Sequence, residues 1–419
     1  MSSPYERRVV DAELDELFSG LAAIAIDGAK GVGKTTTAAQ RAATTLRLDD
    51  PLVQQAIGAD PAGILPFERP LLIDEWQRAP AVWDVVRRAV DDDRRGEQFL
   101  LTGSATPRAG ATAHSGAGRI VRLRMRPLAL SERGFHPTIS LADVLRGGAQ
   151  LSGTADATLA DYAREIVSSG FPGIRDLPPR QRRAQLAGYV ENIVDREIPE
   201  AGITVRRPHA LLHWLRAYAA ATSTTASYTR ILDSATAGFP DKPTRNTTAA
   251  YRDALEQLWI LDPVGAWAPA GAELGRLAQA PKHQLADPAI AASLMGFTSE
   301  SLARGSGGGE GHAFGDLFES LVTLCLRVYA QRNEATVSHF RDRNGEHEVD
   351  LIVSNPDGSI IAFEVKLSGS VDDRDVRHLK WLRERLGEQL IDAIVINTGP
   401  MAYRRPDGIG VVPLALLGM

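Results

Sequence analysis

The chain has almost no cysteine, little lysine and no long apolar run. Its one cysteine among 419 residues is Cys325, set in an apolar stretch. A single thiol excludes a disulfide framework and a cysteine-rich zinc site, and it fits a reducing, cytoplasmic setting. No uncharged apolar run approaches the ~18 residues that a membrane span needs, so no membrane association is expected. The opening MSSPYERRVVDAELDEL is charged along its length and lacks the apolar centre of a signal peptide. Positive charge is not in excess: 47 Lys and Arg stand against 52 Asp and Glu, a formal net charge of −5. That excludes a globally basic nucleic-acid binder and leaves only local basic surfaces.

Six of the 47 basic residues are lysines: Lys30, Lys34, Lys242, Lys282, Lys366 and Lys380. Arginine fills the other positions, where positive charge alone suffices. A remaining lysine marks a place where a compact ammonium does what a planar guanidinium cannot. Lys34 and Lys366 fall in the two richest motifs of the chain. PKHQLADPAI (281–290) contains Lys282, for which the sequence suggests no chemical role.

The rest of the composition, 44% hydrophobic and 24% charged, is that of a soluble globular protein long enough for two to four domains. Short apolar runs at 21–27, 70–75, 97–104 and 120–127 read as strands. Helical patterns lie between them, including TTTAAQRAATTL and AVWDVVRRAVDDD, so a parallel α/β sheet is expected. TPRAGATAHSGAG (106–118) reads as a loop. From about 142 to 300 the texture is helical, punctuated by Pro172, Pro178, Pro179, Pro208 and Pro240. Within it SYTRILDSA and KPTRNTTAAYRDALEQLWIL form either a winged helix-turn-helix or capped helices of a bundle. In the first case Lys242, Arg245, Asn246, Thr247 and Arg252 face a groove or phosphates. His209 and His213 share a helix face at zinc spacing but lack a third ligand, so they read as packing. Trp76, Trp83, Trp214, Trp259 and Trp267 read as core or interface. RGSGGGEG (304–311) reads as a linker. A helix, three strands (TVSHFRD, HEVDLIVS, SIIAFEVKL), a charged helix and the strand DAIVINT follow. The closing GIGVVPLALLGM reads as a buried strand and turn.

GAKGVGKT (Gly28 to Thr35) matches G-x-x-x-x-G-K-[ST] in full, after a strand and before a helix. Gly28, Gly31 and Gly33 allow positive φ and close approach. The backbone of Gly28, Ala29, Lys30, Gly31, Val32, Gly33 and on to Thr36 is expected to cradle phosphates at a helix N-terminus. Lys34 should reach the β- and γ-phosphates of ATP, and Thr35 should hold Mg²⁺. LLIDE (71–75) ends a strand in Asp74, placed to bind Mg²⁺ through water, and Glu75, placed to deprotonate the attacking water. Thr102 and Ser104 end the next strand, where either senses the γ-phosphate or caps the strand.

IDGAKGVGKTTTA, LLIDEWQRAP, FLLTGS and GRIVRLRMRPLALSE together resemble the AAA-type ATPases of bacteria and archaea that carry a C-terminal domain of unknown function. The resemblance spans nearly the whole chain. It implies an ATPase over 1–140, a helical and winged-helix-like region over 141–303, a Gly-rich linker over 304–311 and a nuclease-like α/β domain over 312–419. It also implies action on nucleic acid, foremost DNA, and allows a homo-oligomer. Arg119 matches a position where related ATPases complete a neighbour's site; the alternative is a surface salt bridge.

The second motif lies in the last region. Asp350 ends HEVD, NPDG (355–358) is a turn signal, and Glu364 and Lys366 leave one face of the next strand. Two carboxylates and an ammonium on one patch suit metal-assisted phosphodiester hydrolysis, with Lys366 positioning the nucleophile. Glu319 on the preceding helix could add a ligand to the Mg²⁺ of Asp350 and Glu364. The pattern resembles the PD-(D/E)XK nuclease core. Two readings stay open: a domain that cleaves, and one that binds DNA or protein without cleaving.

Overall fold

The computed structural model describes residues 5–103, 116–200, 202–203, 205, 207–236, 244–269, 279–305, 309–342 and 344–419. The chain divides into two compact units. The first comprises Met1–Arg126, Arg196–Thr204 and Arg252–Ile260; the second comprises Pro127–Asp195, Val205–Tyr251 and Leu261–Met419.

In the first unit, α1 (Val9–Gly20) precedes β1 (Ala23–Asp27), α2 (Lys34–Ala39), β2 (Thr44–Arg47), α3 (Pro51–Ala59), β3 (Leu71–Asp74), α4 (Ala81–Asp92), β4 (Phe99–Gly103) and β5 (Val121–Arg124). The strands form one parallel sheet in the order β2-β3-β4-β1-β5. β1, β3 and β4 are buried along their whole length, as expected of apolar runs covered on both faces. α4 presents Val82, Val86 and Val90 at helical spacing to this core, where Trp76 and Trp83 meet at 4.5 Å between ring centroids. β2 corrects the sequence reading. The helix expected over TTTAAQRAATTL stops at Ala39, and Thr44–Arg47 forms an edge strand. Its β-branched threonines and half-exposed alternation suit an edge strand better than a helix.

The second unit contains a seven-stranded sheet in the order β7-β12-β13-β11-β10-β9-β8. Its strands are β7 (Gly153–Thr154), β8 (Thr336–Arg341), β9 (Glu348–Ser354), β10 (Ile360–Val365), β11 (Leu390–Asn397), β12 (Met401–Arg404) and β13 (Gly410–Pro413). β9 and β10 are an antiparallel hairpin across the NPDG turn, in which Asn355 N donates to Ser359 O at 2.9 Å. β10 and β11 are parallel, connected through the helix Arg377–Leu386. β14 (Leu417–Gly418) ends the chain against β6 (Ile139–Ser140), so the closing segment is buried as expected.

Within the second unit, Pro127–Asp195 belongs with the C-terminal sheet and its long helix Gly309–Arg332. Tyr162 packs edge-on to Phe318, Leu130 N donates to Cys325 Sγ, and Ser131 N donates to the Tyr329 hydroxyl. Of the expected linker, 306–308 lie outside the described residues, while Arg304 ends one helix and Gly309 begins the next. Helices Pro208–Ala220, Tyr228–Thr236 and Arg245–Gln257 occupy the middle of the chain. They are followed by an antiparallel ribbon. Val264 and Lys282 exchange both backbone hydrogen bonds at 2.9 Å, and Leu261 bridges to Leu285. The outgoing arm continues onto β8, where His339 N donates to Gly265 O and Trp267 N donates to His339 O. Lys242 and the loop 106–115 lie outside the described residues. Among the described residues no helix is long and apolar enough to cross a membrane.

Candidate nucleotide site and carboxylate–lysine cluster

The phosphate loop leaves the end of β1 and runs into α2. Gly28 is required by space: a Cβ there would lie 2.1 Å from the Met125 carbonyl oxygen. Gly33 is required by conformation, with φ +104°. Arg8 braces the loop from the N-terminal side, donating to Val32 O at 2.9 Å and to Arg126 O at 3.0 Å. Lys34 is buried and folds back on its own loop, donating to Gly28 O at 2.7 Å and Ala29 O at 2.9 Å. Burial pulls its pKa down to about 8, against the opposing pull of Glu75, Asp27 and Asp74. β4 lies between β1 and β3, so Thr102 is registered with Ile26 on one side and Asp74 on the other. The hydroxyls of Thr35 and Thr102 both donate to Asp74 Oδ1, at 2.8 and 2.5 Å. Glu75 follows at φ 54°, an uncommon conformation for a non-glycine residue, and accepts from Gln77 Nε2. Lys30 on the loop's outer face pairs with Glu197 at 2.7 Å, and Thr36 is exposed.

Two expected residues do not join this site. Ser104 lies outside the described residues. Arg119 precedes the first residue of β5, at the sheet edge opposite the phosphate loop, and pairs with Asp91 at 2.8 Å. β5 is parallel to β1 and each residue advances about 3.3 Å, so Arg119 is a strand's length from its own chain's loop.

In the second unit the hairpin sets Asp350 on β9 beside Glu364 on β10, one step beyond the registered pair Leu351 and Phe363. The helix Gly309–Arg332 supplies Glu319. The expected carboxylates therefore converge, but a residue not foreseen stands among them. Lys282 Nζ donates to Glu319 Oε1 at 2.7 Å and Asp350 Oδ1 at 3.0 Å, with Glu348 Oε1 at 3.8 Å. Its side chain is 1% exposed. Asp350 Oδ2 accepts from Val365 N at 2.9 Å, and Lys366 donates to Glu364 Oε2 at 3.1 Å. Glu364 Oε1 is buried with no hydrogen-bond partner.

Burial opposes the charge on both lysines and on Asp350. The mutual pairing outweighs it: Lys282 and Lys366 rise above the ordinary lysine range, and Asp350 falls below the carboxylate range. Burial pushes Glu319 up to about 8 against the pull of Lys282, and burial together with Asp350 raises Glu364 well above its usual range.

Residues 22–134 match the family described as AAA domain. That stretch is similar to an AAA domain and holds the parallel sheet and phosphate loop described above. Residues 159–301 and 314–417 match two domains of unknown function, DUF8612 and DUF4143. No match was found among the curated proteins. Solved structures similar to this chain include the following two. The Walker-type ATPase PABY2304 of Pyrococcus abyssi has 14% identity over 70% of this chain and 96% of that chain, with a TM-score of 0.42. The ORC2 protein of Aeropyrum pernix, solved as ADPNP–ADP complexes, has 14% identity over 77% and 98%, with a TM-score of 0.28.

The two sites differ in their fitness for a metal. In the AAA domain, Thr35 and Asp74 bring a hydroxyl and a carboxylate within 2.8 Å, hard oxygen donors of the kind Mg²⁺ takes. In the C-terminal cluster, Asp350 Oδ1 and Glu319 Oε1 are held by Lys282, Asp350 Oδ2 by a backbone amide and Glu364 Oε2 by Lys366. With Lys282 seated between Glu319 and Asp350, the cluster as folded does not fit Mg²⁺. Glu319, Asp350 and Glu364, the expected metal ligands, are thus brought together, with Lys282 between the first two. Sequence reasoning also missed Arg8, whose brace has no local signature.

Proposed function

We propose that the chain is an Mg²⁺-dependent ATPase whose nuclease-like C-terminal module binds nucleic acid, foremost DNA, without cleaving it in this folded state. The observation that carries the ATPase reading is the Lys34, Thr35, Asp74 and Thr102 constellation between three adjacent strands of an AAA domain. Residues 28–36 would hold the phosphates through backbone amides. Lys34 would exchange its loop carbonyls for phosphate oxygens, and Thr35 and Asp74 would hold the ion. Bound Mg²⁺ supplies charge neutralisation across the β- and γ-phosphates. Glu75 orients and deprotonates water, and Thr102 positions Asp74 through its hydroxyl. The test is ATP turnover by the wild type, Lys34→Ala and Glu75→Gln. Turnover lost in both, with nucleotide binding kept in Glu75→Gln, is the expected result. Turnover unchanged in Glu75→Gln would remove its assignment as base.

The nucleic-acid reading is supported by two successive helices followed by an antiparallel ribbon, the order of elements in a winged helix, with Arg245 and Asn246 exposed at the start of the second helix. A second reading, metal-dependent cleavage, is favoured by the convergence of Asp350, Glu364 and Lys366. Incubating plasmid and single-stranded DNA with Mg²⁺ or Mn²⁺, with and without ATP, separates the two. Cleavage that Glu364→Ala abolishes supports the second reading; DNA binding without cleavage supports the first.

A further inference from the structure

Lys282 is held in place at both ends. Its backbone exchanges two hydrogen bonds with Val264 at 2.9 Å. The next residues are pinned as well: His283 N donates to Thr224 O at 2.9 Å, and Asp262 N donates to Gln284 O at 2.9 Å. From this anchored ribbon the side chain enters a cluster of carboxylates it does not neighbour in sequence, 37 residues from Glu319 and 68 from Asp350. Its ammonium contacts both carboxylates, and the backbone carbonyl of Asp350 lies 3.5 Å away. A small divalent cation bridging Glu319 and Asp350 would need those same oxygens at about 2.0–2.1 Å. The nitrogen already stands between them. A second cation would meet a fixed like charge as well as a filled volume.

We propose that Lys282 is a tethered counter-cation that takes the divalent metal's place in the Glu319–Asp350–Glu364 cluster. The C-terminal module is then a metal-independent binding module. The lysine is supplied by the ribbon that follows the two middle helices, so the cluster is complete only when that ribbon is docked on β8. This deepens the non-cleaving reading above. It is tested by metal binding, so its failure is separate from any failure to bind DNA or to turn over ATP.

The experiment is Mn²⁺ titration of the full chain without nucleotide, followed by electron paramagnetic resonance. Every arm carries Asp74→Asn to silence the P-loop metal site. With Lys282 present, no Mn²⁺ binding that depends on Asp350 or Glu364 is expected. Ions that persist in Asp350→Asn and Glu364→Gln report other acidic groups, such as the cluster of Asp342, Glu346 and His347. Lys282→Ala is expected to gain one Mn²⁺ site, at least about tenfold tighter, because a unit charge has left contact distance. Glu364→Gln should remove that site. Mn²⁺ should also raise the melting temperature of Lys282→Ala while leaving the Lys282 protein unchanged. If Lys282→Ala does not fold, Lys282→Ala with Glu319→Gln removes one charge of each sign and keeps Asp350 and Glu364 as ligands. Asp350-dependent Mn²⁺ binding with Lys282 in place overturns the proposal, as does a folded Lys282→Ala protein that gains no site. If neither variant folds, the titration with Lys282 in place decides alone.

Discussion

The buried Lys34 makes nucleotide binding a proton-linked event above pH 8. In the free protein, burial pulls its pKa down to about 8. Its contacts there are two carbonyl oxygens, which stabilise the ammonium less than phosphate does. Bound to a triphosphate, the same nitrogen returns to or beyond the ordinary lysine range near 10.4. The bound state therefore holds more protons than the free state between about pH 8 and 10. Affinity is full below pH 8 and is lost as pH rises through it. At pH 9 about nine free molecules in ten have a neutral Lys34, so ATP affinity should fall about tenfold from its neutral value, about 1.4 kcal/mol. Calorimetric titration at pH 9 in two buffers of different ionisation enthalpy should report uptake of nearly one proton per ATP bound. At pH 6.5 Lys34 should contribute no uptake. Lys34→Arg, charged throughout this range, should lose the uptake at pH 9. Equal apparent enthalpies in the two buffers at pH 9 would refute the reasoning.

Three further outcomes follow from single contacts. Gly28→Ala should destabilise the AAA domain by at least about 2 kcal/mol, because the new Cβ meets a backbone oxygen. Gly58→Ala, helical with nothing within 4 Å of its Cβ, should stabilise it by about 0.5–1 kcal/mol. Urea unfolding compares the two, and equal effects would mean that Gly28 is not closely approached. Arg119→Ala should leave ATP turnover unchanged, since Arg119 ends in a half-exposed pair with Asp91. A large loss that depends on protein concentration would instead place Arg119 at a neighbour's site. Glu197→Gln should tighten ATP binding by at most about fivefold by releasing Lys30 from an exposed pair, and weaker binding would contradict that.

The arrangement of the candidate nucleotide site was legible in sequence because its parts are local. Gly28 to Thr35 are consecutive, and Asp74 and Glu75 end an apolar run that could only be a buried strand. Sheet order then did what sequence could not, inserting β4 between the two motifs and fixing Thr102 against Asp74. The edge strand β2 was misread because four half-exposed residues carry too little pattern to outweigh a helical neighbour. The convergence of Asp350, Glu364 and Glu319 was legible from a turn signal and a two-residue spacing. What fills their centre was not, because Lys282 arrives from another element and its segment, PKHQLADPAI, suggests no chemical role. The one available signal was the scarcity of lysine itself.

That scarcity can be put to a test. In a chain that otherwise uses arginine, Lys282 is retained where the pocket is closed and its contacts are three oxygens around one point. A guanidinium carries the same charge on a wide planar fork suited to paired, coplanar acceptors. Glu319 and Asp350 approach from a helix and a strand and offer one carboxylate oxygen each. Lys282→Arg should therefore keep the charge yet cost about 1–3 kcal/mol through overpacking. Lys282→Ala should cost about 3–5 kcal/mol through the uncompensated buried charge of Asp350. Urea unfolding of the two variants separates size from charge. If Lys282→Arg is as stable as the wild type, the cluster selects charge alone, and the lysine there is no more than one cation among many.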